Sequence, residues 1–123
     1  MRNWELIGTV ERGPFTIFFE KTYEDIDPWY SLSECYANDK QKLYDDIDSG
    51  KLDWFMLRTR VILADVAIGY SYLGGMLYEN PRDILTDGVA EDQIASVIED
   101  AKVRFAELKN IFATTDINAL TTK

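Results

Sequence analysis

With one cysteine, Cys35, and no histidine, this chain must do any chemistry with carboxylates, tyrosines, lysines, arginines and hydroxyls. The Ser-His-Asp and Cys-His nucleophile systems, the HExxH metal motif and Cys-rich zinc sites all need residue types that are missing. A lone cysteine makes no internal disulfide, and Cys35 reads as a small buried apolar side chain. Glu20 and Asp65, with tyrosines nearby, are the acid–base constellation an enzyme would have to use. Nothing in their spacing selects them over other carboxylates, so the expectation is a protein that is not an enzyme.

The carboxylates are concentrated in two blocks. The net charge is −9, and residues 22–50 and 79–100 each carry −6, while the other segments are neutral or positive. In the first block, Glu24, Asp25 and Asp27 precede a predicted helix, and Asp45, Asp46 and Asp48 close it. In the second, Glu91, Asp92, Glu99 and Asp100 lie on a later helix. Carboxylates spaced along a surface can imitate a row of phosphates and compete for the Lys/Arg groove of a nucleic-acid enzyme. The plainer reading is a solvated face that keeps the chain dispersed. Either surface repels nucleic acid and anionic membranes and attracts basic proteins. Asp45, Asp46 and Asp48 resemble calcium ligands only superficially, because the EF-hand loop with its central glycine and closing glutamate is absent. No metal or cofactor is expected.

A further candidate is apolar and basic. Alternation along a strand places Trp54, Met56, Arg58 and Arg60 on one side. Trp and Arg dominate binding hot spots, so an uncovered side would be a partner-binding stripe. In the alternative, a second layer covers Trp54 and Met56 while the arginines pair with the acidic blocks. Tyr70-Ser71-Tyr72-Leu73-Gly74-Gly75 is neither a P-loop nor a dinucleotide fingerprint. Its glycine pair predicts a bulge or a close backbone approach.

The elements that must position these residues follow from periodicity. Residues 4–20 read as a hairpin broken at Arg12-Gly13-Pro14. Asp27-Pro28 signals a turn, and Trp29, Tyr30, Leu32 and Tyr36 form an aromatic connector. Asn38 or Asp39 can cap a helix over 39–48, with Leu43, Tyr44 and Ile47 on one face and Gly50 ending it. Residues 52–63 form the clearest strand, and part of 64–78 pairs with it. Asn80-Pro81 starts a short helix. Ile94, Val97, Ile98, Ala101, Phe105, Leu108, Ile111 and Phe112 form one apolar stripe of a long last helix. Glu99–Lys102 and Asp100–Arg104 can pair along it. The predicted fold is α+β: a four-stranded, mostly antiparallel sheet packed with a long C-terminal amphipathic helix and one or two short helices. An alternative places helices on both faces of the sheet. Residues 1–113 form one domain and 114–123 a flexible tail. No stretch reaches the roughly 18 apolar residues of a membrane span, and the N-terminus lacks a signal-peptide pattern, so the expected location is the cytoplasm.

Gly50-Lys51-Leu52-Asp53-Trp54-Phe55, then a strand, then Tyr72-Leu73-Gly74-Gly75 and Tyr78 before an acidic amphipathic helix, resembles small uncharacterised accessory proteins of tailed bacteriophages and prophages. The resemblance covers about residues 43–108, and Met76-Leu77 stands where those proteins are richer in cysteine. It implies a phage accessory product acting in the host bacterial cytoplasm, which favours an inhibitor of host machinery, anti-CRISPR-like or otherwise anti-defence. The expected partner is a host protein with a basic surface, blocked sterically, with acidic DNA mimicry as one version of the contact and no direct contact to nucleic acid or membrane. Two other readings stand beside it. One is a self-associating assembly protein, a homodimer through the sheet edge or the Trp54 face. The other is a protein that sequesters a small ligand such as a nucleotide through residues 70–78.

Overall fold

A computed structural model describes residues 3–36 and 39–121. Four strands, β1 (Glu5–Arg12), β2 (Phe15–Tyr23), β3 (Asp53–Leu63) and β4 (Val66–Tyr78), form one sheet in sequence order. Every neighbouring pair is antiparallel. Between β2 and β3 lie α1 (Trp29–Leu32) and α2 (Lys40–Asp48). After β4 come a 3-10 turn (Pro81–Leu85), α3 (Val89–Thr114) and a last 3-10 turn (Ile117–Thr121). The α+β fold expected from the sequence is the fold observed.

Alternation decides which side of each strand is dry. Ile17 and Phe19 of β2, and Phe55, Leu57 and Val61 of β3, point to one face, where they pack with Ile94, Val97 and Ala101 of α3. Gly69 lets the helix come close, since a Cβ there would stand 3.1 Å from both Ala101 and Val97. Ile84, from the turn that Asn80 caps by accepting from the Arg82 amide, seals the edge of this core.

The opposite face is covered at one end only. Trp54 is buried, and its indole N–H donates to the Ile26 carbonyl at 2.9 Å, fixing the 24–36 connector there. Gly74 and Gly75 sit opposite Met56 in a break of the β3–β4 register. This is the predicted bulge; Gly75 has a left-handed φ of +68°, and a Cβ there would stand 3.4 Å from the Trp54 ring. Leu43 of α2 is fully buried yet stands outside the α3 core cluster. Short helices and connector thus form a thin second layer, as in the arrangement with helices on both faces.

Several expectations change in detail. β2 runs on to Tyr23, three residues beyond the predicted hairpin. Cys35 is exposed rather than buried, because it lies in the turn after α1 and not in a packed element. Asp39 caps α2 by accepting from the Lys42 amide, while Asn38 lies outside the described residues. The stripe of α3 is real, but no side chain beyond Ala101 is buried. Arg104 pairs with Glu107 instead of Asp100, while Glu99 does pair with Lys102.

Candidate partner-binding surface

Glu20 organises the uncovered end of the second face. It lies opposite Arg58 in the β2–β3 register, one step from the Arg60–Phe18 pair. Its carboxylate accepts from Arg58 Nε at 3.1 Å and from Arg60 Nε and Nη2 at 2.6 and 3.1 Å. Burial alone would raise its pKa, but the hydrogen bonds and positive charge of Arg60 and Arg58 outweigh burial and hold it below the ordinary 4.5. One carboxylate thus fixes two guanidinium planes on the sheet.

Aromatic rings frame those planes. The Arg58 guanidinium lies 4.1 Å from the Trp4 ring centre, and that of Arg60 lies 5.3 Å from Phe18. Both are cation–π contacts. Tyr72 and Tyr70 stand opposite Arg58 and Arg60 on β4, with rings stacked at 6.5 Å. Tyr70 is 46% exposed and Tyr72 57%, so the array faces solvent. Phe18 and Trp4 were not singled out by sequence reasoning, and Tyr70 and Tyr72 only as part of the glycine-pair segment 70–78. Cross-strand register to Arg58 and Arg60 is the signal that finds them.

The predicted stripe therefore splits. Trp54 is a buried anchor for the connector, whereas Met56, Arg58 and Arg60 are half-buried. The arginines pair with Glu20, from a neutral segment, and not with either acidic block.

The acidic blocks also part. The described residues of the first block after β2 form the connector layer, on the side of Arg58 and Arg60. Residues 79–100 lie on the α3 side. Glu91 is held to Arg12 by two hydrogen bonds of 2.6 and 2.9 Å, and Glu99 pairs with Lys102. Asp92 and Asp100 are exposed, with no cation in ion-pair range among the described residues. The two blocks are not one continuous row.

Within the first block, Asp25, Asp27, Asp45 and Asp48 are exposed. Asp27 accepts from the Tyr44 hydroxyl at 2.5 Å and from the Trp29 amide at 3.0 Å. The Tyr44 hydrogen bond chiefly lowers its pKa, and the same contact raises that of Tyr44. Gln41 donates to Asp45, and Lys42 pairs with half-buried Asp46. Glu24 is 7% exposed, and its Oε2 has no hydrogen-bond partner among the described residues.

Glu20 and Asp65 do not meet. Asp65 sits in the β3–β4 turn beyond Leu63, and the five residues from Arg58 to Leu63 span roughly 17 Å. Among the described residues no group of three or more His, Cys, Asp or Glu side chains converges as a metal site. No described helix is long and apolar enough to cross a membrane. Comparison with protein families, curated proteins and solved structures finds no match to this chain.

Proposed function

We propose that this chain is a non-catalytic binding protein that blocks a partner sterically, the partner being a host defence or nucleic-acid-processing protein with a basic surface. The observation that carries this reading is the juxtaposition of an Arg–aromatic array with an acidic layer on the same side of the sheet. Arg58, Arg60, Trp4 and Tyr72 supply rigid, partly desolvated anchors. Asp45 and Asp48 of α2, with Asp25 and Asp27, supply the charge that steers a basic partner. The two blocks lie on different sides, so the partner reads the connector layer, and mimicry of one long phosphate row is the weaker form of the idea. Glu20, tied by two arginines and ionised at neutral pH, is poorly placed to act as a general acid.

The test is salt-dependent capture from bacterial lysate by tagged protein, in parallel with two charge-swapped variants. Asp45→Lys/Asp48→Lys should abolish recovery, and Asp92→Lys/Asp100→Lys should leave it within about twofold. Screening beyond roughly 8–10 Å at physiological ionic strength makes recovery fall with added salt. Recovery indifferent to salt and to both variants would overturn the proposal.

A further inference from the structure

α3 is drawn onto β4, where Gly69 leaves room for Ala101 and Val97. Over β2 and β3 an apolar groove of about 410 Å³ opens between helix and sheet. That lies within the roughly 300–1,000 Å³ of small-ligand clefts. Phe15 and Ile17 of β2 and Val61 of β3 form its floor. Its helical wall runs from Ile94 to Phe105, about 16 Å along α3. Ile98 and Phe105 of that wall are 39% and 43% exposed, so the groove is open to solvent along the helix. Among the described residues that line it there is no carboxylate, in a chain with 22 acidic residues against 13 basic ones. The charged groups that line it are two cations, Arg12 and Lys102. Glu91 engages only Nη2 of Arg12, which leaves Nε and Nη1 without a hydrogen bond among the described residues. Glu99 lies 3.6 Å from Lys102 with both side chains largely exposed, and such a pair holds its cation weakly. Both cations therefore have capacity for a further anion.

We propose that this groove binds a straight-chain fatty carboxylate, its chain laid along α3 and its head held by the cations Arg12 and Lys102. The form of the groove selects the chain. It is long, its lining is apolar, and each methylene it takes from water adds affinity. The charge of its border selects the head. A carboxylate there gains a charge-assisted hydrogen bond beside dry surroundings, whereas an ammonium head meets two like charges. The ligand is a dissolved molecule and not part of a bilayer. An anionic membrane repels a chain of net charge −9, while a single carboxylate meets the local pair of cations. The groove lies on the α3 face, away from the Arg58–Arg60 array and the connector layer, so its failure and that of the proposed function are separable.

The experiment is isothermal titration calorimetry of the full chain with octanoate, decanoate and dodecanoate, each kept below the concentration at which it forms micelles. The wild type should bind one dodecanoate per chain. Affinity should rise at least about threefold with each added pair of methylenes. Dodecylamine, with the same chain and a cationic head, should bind at least about tenfold more weakly. Arg12→Glu/Lys102→Glu changes two exposed side chains and should invert that preference. Phe105→Ser truncates the wall outside the buried core, so its far-ultraviolet circular dichroism should match the wild type while its affinity for dodecanoate falls at least about fivefold. Absence of saturable dodecanoate binding by the wild type would overturn the proposal. So would equal affinity for dodecylamine, or dodecanoate binding that neither variant changes. Co-sedimentation with phosphatidylglycerol vesicles by a wild type that ignores dissolved dodecanoate would overturn it in favour of a membrane surface.

Discussion

The two faces of the sheet are made by the same strands and closed in different ways. On the α3 face, hydrocarbon meets hydrocarbon: Phe19, Leu57 and Val97 are 0% exposed. On the other, a thin layer pinned by one indole hydrogen bond covers Trp54, and a carboxylate with two arginines holds the rest. The first face supplies stability through buried apolar area. The second places charged, directional groups where a partner can reach them. The contrast teaches that the side proposed to bind a partner is the one α3 does not cover.

The contrast should be sharpest in stability. Leu57→Ala, on the dry face, should cost about 2–5 kcal/mol through lost transfer energy and the cavity left behind, measured by urea denaturation. Glu20→Gln, on the open face, should cost about 1–3 kcal/mol by stranding two guanidinium groups. Because the folded pKa of Glu20 is depressed, its contribution is complete above 4.5 and is lost as pH falls through the lower folded value. Wild-type stability should therefore drop below that pH, and Glu20→Gln should flatten the drop. If Glu20→Gln cost as much as Leu57→Ala, the division of labour between the faces would be wrong.

Glu24 sharpens the comparison on a smaller scale. It is as buried as Glu20, yet its Oε2 has no hydrogen-bond partner among the described residues. Glu24→Gln removes a buried charge without stranding a partner, so it should leave stability unchanged within about 1 kcal/mol or raise it. A loss equal to that of Glu20→Gln would show that Glu24 has a compensating contact of its own.

Tyr78 offers a still smaller effect at alkaline pH. Burial, then its hydrogen bond to Asp87, pushes its pKa up to about 12. Whatever stability this gives is complete below 10 and lost as pH rises through about 12. Ultraviolet titration should show a last-ionising tyrosine that disappears in Tyr78→Phe.

Much of the fold was legible because period and punctuation agree. Alternation marked β1 to β3, Asn80-Pro81 marked its turn, and Gly74-Gly75 marked the bulge. The β3–β4 turn was harder. Ala64 and Asp65 both adopt left-handed φ, 48° and 66°, in a two-residue hairpin loop where Asn-Gly would be the expected signal. Tertiary pairing of long strands overrides the local cost. The site was half legible. Arg58 and Arg60 could be placed on one side of a strand, but their partner Glu20 and the rings of Trp4, Phe18 and Tyr72 come from other strands. Register, which a single sequence does not carry, brings them together. A covered Trp54 was one of two readings open in the sequence, and the choice between them depends on where the connector returns.

The most direct test of the central claim is binding by a surface variant that leaves the fold alone. Tyr70→Ala/Tyr72→Ala removes two exposed rings while keeping the Glu20–Arg58–Arg60 cluster. Its capture of the basic partner should be compared, at matched salt, with that of Asp92→Lys/Asp100→Lys on the α3 side. The account predicts at least about tenfold loss for the tyrosine variant and near-wild-type binding for the other. Loss confined to the α3-side variant would contradict it.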